Sequence, residues 1–257
     1  MTLPLIIKLS GKALTAEKEL LALFSALRSQ ARPFLLVHGG GVEVDRLMTA
    51  LGREVKRING LRVSSPDDMP EIAGALAGTC SLMLRGLAVK AGLLPLGLAA
   101  TDLGLTTVVP QEAVLGRVAK AAAGNDAALS RLKAMFSIGL TPVVSSIGLD
   151  DEGRLWNINA DDAALAVAQL IKAPLIFLSD VRGVLDADKK LIPALTPQLA
   201  QSLIRDGVVS GGMTVKVNAA FAAARTTGAS VSVASVFDET LAETLCAGRL
   251  PGTVFTL

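Results

Sequence analysis

Short apolar runs of four to six residues, each stopped by a turn and followed by a stretch of helical periodicity, constrain the fold of this chain more than any other feature. A parallel strand pair needs a long crossover, usually a helix, so the alternation predicts βαβ units and a largely parallel sheet. Residues 3–9 read as the first strand, stopped by Ser10-Gly11. Leu20, Phe24 and Leu27 then recur at helical spacing behind Thr15, the expected N-cap. Residues 34–37 form strand two, and Val44, Leu47, Met48 and Leu51 mark a helix that opens directly out of His38-Gly39-Gly40-Gly41. Ser65-Pro66-Asp67-Asp68 supplies a cap, a proline at the first position and acid in the first turn, which predicts a helix running to about Lys90.

Further along, residues 94–98, 105–109 and 141–145 read as strands, with a helix starting at Asn125-Asp126. Asp150-Asp151-Glu152-Gly153 reads as a hairpin turn. A helix opening near Asn159 leads to a strand at 174–178. A helix from about Gln198, the glycine pair Gly211-Gly212 and an Ala-rich helix ending before Gly228 follow. Residues 230–234 and 253–257 close the chain as strands. No repeat or low-complexity linker divides the sequence. A soft division near residue 170 suggests two lobes, 1–170 and 171–257, on one continuous sheet with a substrate on each.

Composition narrows the function. Hydrophobic residues make up 51% and aromatics 3%, so the core is built from Ala, Val, Leu and Ile. The mean hydropathy of +0.53 raises the question of a membrane. No uncharged stretch approaches the roughly 20 residues of a spanning helix; residues 134–149 are broken by Gly139 and Pro142 and read as buried strand. No basic region precedes the first apolar run, and Lys8 interrupts it, so a signal peptide is not expected and the cytoplasm is. Cys80 and Cys246 have no C-x-x-C or histidine companion, which argues against a disulfide, a zinc site or a redox centre. A net charge of +2 without a Lys/Arg block gives nucleic acid no footprint. The expected partners are small molecules.

Phosphoryl transfer between anions needs positive charge at the transferring group and backbone donors around the phosphates. Lys8 sits at the C-terminal end of the first strand, where open α/β sheets hold ligands, and Ser10-Gly11 lets the backbone turn closely there. The glycines after His38 can turn successive N–H groups toward an anion at a helix N-terminus. This is neither a Walker A loop nor a dinucleotide G-x-G-x-x-G. His38, the only histidine, reads as a hydrogen-bonded turn residue rather than a general base. Asn59-Gly60-Leu61-Arg62 places a guanidinium beside a hairpin turn, a bidentate partner for a carboxylate or simply a solvated charge. Asn157-Ile158-Asn159-Ala160-Asp161 puts two amides on one face ahead of a carboxylate; helix capping explains Asn159 but not Asn157. Lys216 follows one turn inside the helix that Gly211-Gly212 opens. An aspartate such as Asp161 between Lys8 and Lys216 would hold them apart and aimed at phosphates.

Taken together, K-L-x-G at Lys8, H-G-G-G at His38, N-G-L-R-V at Asn59, N-I-N-A-D at Asn157, L-S-D-V-x-G-V-L at Leu178 and G-G-M-x-x-K at Gly211 resemble the amino-acid kinase family, in register from residue 4 to the end. The resemblance implies an open three-layer αβα sandwich with a mainly parallel central sheet. Within the family it implies transfer of the ATP γ-phosphoryl, with Mg2+, to the side-chain carboxylate of N-acetyl-L-glutamate in arginine biosynthesis. Lobe 1–170 would bind acetylglutamate and carry dimerisation, and lobe 171–257 would bind ATP. Lys8 and Lys216 would stabilise the phosphoryl, with Asp161 organising them; Gly40, Gly41, Arg62 and Asn157 would hold the acceptor. Gly11, the stretch Asp180, Val181, Arg182, Gly183, Val184 and Leu185, and Val208, Val209 and Ser210 would line the nucleotide site. No metal ligand is assigned to the protein. Ser10 makes K-L-S-G similar to bacterial uridylate kinases, which keeps uridylate open as an acceptor; an aminoadipate derivative is the runner-up acceptor, and a non-catalytic, ligand-sensing member of the fold is the alternative of a different class. Because the first strand begins by Leu3, the N-terminal helix of arginine-sensitive relatives finds no room, and an arginine-insensitive homodimer is the expectation.

Overall fold

The computed structural model describes residues 3–257, with Lys12, Gly212 and Val215 described by backbone alone. The first half runs β1 (Leu5–Leu9), α1 (Glu17–Ser29), β2 (Phe34–His38), α2 (Gly41–Ala50), β3 (Arg57–Ile58), β4 (Leu61–Arg62), α3 (Met69–Ala73), a π-helical segment (Gly74–Cys80), α4 (Ser81–Lys90), β5 (Leu94–Ala99), β6 (Thr106–Pro110) and β7 (Val118–Ala123). There follow α5 (Asp126–Ser137), β8 (Leu140–Ser145), β9 (Ile147–Leu149), β10 (Leu155–Ile158), α6 (Ala160–Ile171), β11 (Leu175–Ser179), β12 (Ala194–Leu195), α7 (Pro197–Arg205), α8 (Gly211–Thr227), β13 (Val231–Ser235), α9 (Leu241–Cys246) and β14 (Thr253–Phe255).

Eight strands form the main sheet in the order β12-β14-β13-β11-β1-β2-β8-β5. Neighbours are parallel except β13 and β14. A strand covered on both faces reads as a continuous apolar run rather than an alternating one, and LIIKL and FLLVH are such runs. On one face Leu20, Phe24 and Leu27 of α1, Leu84 and Ala88 of α4 and Leu241 and Leu245 of α9 pack against Leu5, Ile7, Leu36 and Val143. On the other, Leu132 of α5, Ala164 and Val167 of α6 and Ala220 and Ala224 of α8 cover Ile6, Leu35, Val37 and Leu175. The expected three-layer αβα sandwich is the observed one, and its sheet joins strands from both sides of residue 170.

Three local expectations change. The run at 105–109 does give a strand, β6, but in a separate sheet ordered β6-β7-β10-β9. Its partner β7 is VAKAAA, too poor in β-branched residues to announce a strand. The first helix starts one residue later than Thr15 suggested: Ala16 is its N-cap, without a side-chain cap, after a 3-10 turn at Gly11–Thr15. The helix after Ser65 begins as expected, with Ser65 Oγ accepting the Asp68 N–H and Pro66 in the first turn, but it passes through the π segment on its way to Lys90. By length and composition Pro66–Lys90 could cross a membrane. Here Met69, Ile72 and Leu76 pack on Val44 and Met48 of α2, while Leu84 and Ala88 enter the main core.

Candidate active site

Strand period places Lys8 on the face of Ile6, beneath α6 and α8. A charge inside an apolar strand needs a partner. Lys8 Nζ lies 2.5 Å from Asp161 Oδ1, with the lysine side chain 9% exposed and the aspartate 52%. Asp161 is delivered by the start of α6, where Asn159 is the N-cap and its Oδ1 accepts the Asp161 N–H at 2.8 Å. The next residue differs in environment: burial pushes the Asp162 carboxyl up, Lys120 opposes that, and Asp161 adds to it. Lys216, exposed on α8, lines the same cleft as Lys8, Asp161, Ser10 and Ser179. The three charged residues expected to act together therefore meet, at the C-terminal ends of β1 and β11.

The turn after β2 lies beside them. Gly40 is the N-cap of α2, and a Cβ there would stand 2.5 Å from Cys80 Sγ and 2.9 Å from Leu76 Cδ2, both from the π segment. Only glycine fits without displacing that floor. Burial pushes the Cys80 thiol up to about 11, so at neutral pH it packs as an uncharged group. Gly40, Gly41, Arg62 and Asn157 line one cleft of about 180 Å³, together with Arg57 and Ser146. Ala160 lines it too, so the first turn of α6 separates this cleft from the lysine cleft by one residue.

Asn59 and Gly60 both have positive φ, 50° and 83°, as the two-residue hairpin turn of an N-G pair requires. That turn sets Arg57 directly opposite Arg62. Like charges so placed repel, and Asp45 of α2 resolves the conflict: its Oδ2 and Oδ1 each lie 2.6 Å from a guanidinium nitrogen, of Arg57 and Arg62 respectively. Burial works against the Asp45 carboxylate, but hydrogen bonds and charge from the two arginines hold it below its ordinary value. Arg62 also donates to the Gly41 carbonyl at 3.0 Å, tying the hairpin to the glycine turn. The Asn157 amide donates to Ser64 Oγ at 3.0 Å, and the buried Ser64 hydroxyl donates to the Arg62 carbonyl at 3.2 Å. Asn157, unexplained by capping, is thereby tied through Ser64 to the backbone of Arg62.

The expected nucleotide residues are spread out. Gly11, at φ 50°, lines a small pocket with Gly40 and Gly41. Asp180 and Arg182 are exposed, Val181 and Leu185 half-buried. Val184 is buried, with its N–H donated to Thr253 Oγ1 at 2.8 Å, and Gly183 packs against Thr253 and Leu191. Val209 is buried, Val208 half-buried, and Ser210 exposed as the N-cap of α8. The reading from sequence missed Asp45 and Arg57. Two arginines flanking an N-G turn were a usable signal for a missing counter-charge.

Comparison with known proteins identifies the family. The sequence pattern of the amino acid kinase family matches residues 4–235. The acetylglutamate kinase of Vibrio campbellii is 44% identical over 257 residues, covering 98% of this chain and 96% of that protein. The acetylglutamate kinase of Pectobacterium carotovorum subsp. carotovorum is 47% identical over 236 residues, covering 90% and 91%. The crystal structure of an N-acetylglutamate synthase from Neisseria gonorrhoeae, complexed with coenzyme A and N-acetyl-glutamate, superposes with a TM-score of 0.81 at 21% identity, over 99% of this chain and 59% of that one. At that identity the likeness speaks to the fold.

Proposed function

This chain belongs to the amino acid kinase family, and on that premise we propose that it transfers the γ-phosphoryl group of ATP to the side-chain carboxylate of N-acetyl-L-glutamate, in arginine biosynthesis. It is an ATP-dependent phosphotransferase of the acetylglutamate kinase type. The observation that carries the reading is the pair Lys8–Asp161 beside Lys216, one residue along α6 from a cleft lined by Gly40, Gly41, Arg62 and Asn157.

In this reading an acceptor carboxylate oxygen attacks the γ-phosphorus, the bond to the β–γ bridging oxygen breaks, and ADP leaves with the electron pair. A carboxylate is already ionised at neutral pH, so no general base is needed. Lys8 and Lys216 meet the charge that spreads over the transferring group, and Asp161 fixes Lys8 in position. The N–H groups of Gly40 and Gly41 at the start of α2 add donors and a favourable helix end. Arg62 offers its planar fork to the second carboxylate of the acceptor, and Asn157 a neutral polar contact. Magnesium enters as part of the nucleotide substrate, on its phosphate oxygens. Gly11, the 180–185 loop and residues 208–210 border the nucleotide, with Val184 and Val209 contributing through backbone and packing.

We further read residues 1–170 as the acceptor-binding and dimerising lobe, 171–257 as the nucleotide lobe, and a cytoplasmic homodimer as the working form. The experiment is ADP release from MgATP with N-acetyl-L-glutamate, an aminoadipate derivative and UMP offered in turn, with hydroxylamine to trap an acyl phosphate. N-acetyl-L-glutamate should be the preferred acceptor and give a trappable product. Faster turnover of either other acceptor overturns the assignment.

A further inference from the structure

His38 is fully buried at the end of β2, and the proposed chemistry gives it no proton to move. Its ring nonetheless makes one defined contact: Nδ1 lies 2.9 Å from the carbonyl oxygen of Gly39. A carbonyl only accepts, so Nδ1 carries the proton and donates. Nε2 is buried and has no hydrogen-bond partner among the described residues. The charged group that bears on the ring is the guanidinium of Arg85 in α4, which lies over Gly97 of β5 on the same face of the sheet. A proton on Nε2 would sit buried, near a positive charge and without an acceptor. The tautomer is therefore fixed by its surroundings, and the ring stays neutral.

The carbonyl that His38 holds belongs to the Gly39–Gly40 peptide. That unit is planar and trans, so its C=O and N–H point in opposite directions. Two flanking glycines leave the plane free to rotate. A rotated plane would present a carbonyl oxygen, in place of a donor, to an anion bound at the start of α2. We propose that His38 is a positioning residue: by holding the Gly39 carbonyl through Nδ1–H it keeps the Gly40 N–H turned into the reaction cleft. Gly40 lines that cleft, and the Cys80 and Leu76 floor limits the other ways the turn can settle. This deepens the proposed kinase reading and rests on it.

The chain has a single histidine, so 15N-histidine labelling gives one imidazole to read. The expected spectrum is a neutral ring protonated at Nδ1 between pH 6 and 8; an Nε2–H ring overturns the proposal. His38→Leu removes the donor at similar bulk, whereas the amide of His38→Asn can donate from near the Nδ1 position. With N-acetyl-L-glutamate and MgATP, His38→Leu should lower kcat by roughly 10-fold or more, as loss of one aimed donor does. His38→Asn should recover most of that, and the KM for ATP should stay within about 2-fold in both. Equal losses in the two variants would make the role one of packing and overturn the proposal. If His38→Leu fails to fold, the tautomer and the Asn variant still decide. A wild-type protein that ignores every acceptor in the panel would instead overturn the kinase reading, while the spectrum still tests the hold on Gly39.

Discussion

Lowering the pH from 7 to 5 should destabilise this protein through one residue. Burial drives the His38 pKa down from 6.5 to about 4, with Arg85 acting in the same direction and the Gly39 hydrogen bond opposing them. As pH falls, the unfolded chain takes up the imidazole proton first and the folded protein refuses it. Stability from this group is thus fully present above about pH 6.5 and is lost progressively between there and about pH 4. One pKa unit is worth about 1.4 kcal/mol, so the loss from pH 7 to pH 5 is about 2 kcal/mol. Carboxylates held low, such as Asp45, give up their stabilisation mostly at lower pH. Urea unfolding of wild type and His38→Asn at both pH values isolates the term, because asparagine does not titrate. Wild type should lose about 2 kcal/mol more than the variant over that interval. Equal losses would mean that the buried ring accepts a proton, and the reasoning about its surroundings would be refuted.

Lys8→Ala and Lys216→Ala should each lower kcat by on the order of 10²-fold or more with smaller effects on KM, which steady-state kinetics would show; near-normal turnover with a raised KM would remove them from the transition state. Arg62→Lys should raise the KM for acetylglutamate by about 10-fold or more and leave that for ATP nearly unchanged, since an ammonium cannot replace a fork that also spans Asp45 and Gly41; titrating each substrate in turn checks it. Gly40→Ala should destabilise by roughly 1–3 kcal/mol because its Cβ meets Cys80 and Leu76, and Cys80→Ala should restore part of that in a double-mutant cycle.

Apolar periodicity and glycine turns were enough to read βαβ units and a largely parallel sheet, because strands buried on both faces and helices with one apolar stripe leave plain patterns; the three-layer sandwich was implied by the family resemblance. Asp161 was legible only as an acid that would stand between Lys8 and Lys216; the direct pairing with Lys8 is what the fold adds. What did not show was contact made across the fold. Asp45 looks like any helix carboxylate until the hairpin folds back over α2 and sets two arginines against it. Asp161 and Asp162 are adjacent and alike in sequence, yet one meets Lys8 and the other is pushed up by burial. β7 stayed hidden because alanines favour a helix unless a neighbouring strand recruits them.

The π segment between α3 and α4 has a consequence for insertions and deletions. Such a turn behaves as an α-helix carrying one surplus residue. Each residue advances an α-helix by about 100°, so the surplus sets the angular phase between two faces. Met69 and Ile72 face α2 before it, and Leu84 and Ala88 face the sheet after it. Tightening these residues into plain α geometry at constant length would swing Leu84 out of the core and Cys80 away from Gly40. Deleting one residue from Gly74–Cys80 could be absorbed as an unbroken α-helix with both faces still in phase. Loss of a residue here should therefore be milder than loss of one a turn or two away in α4, where no slack exists to take it up.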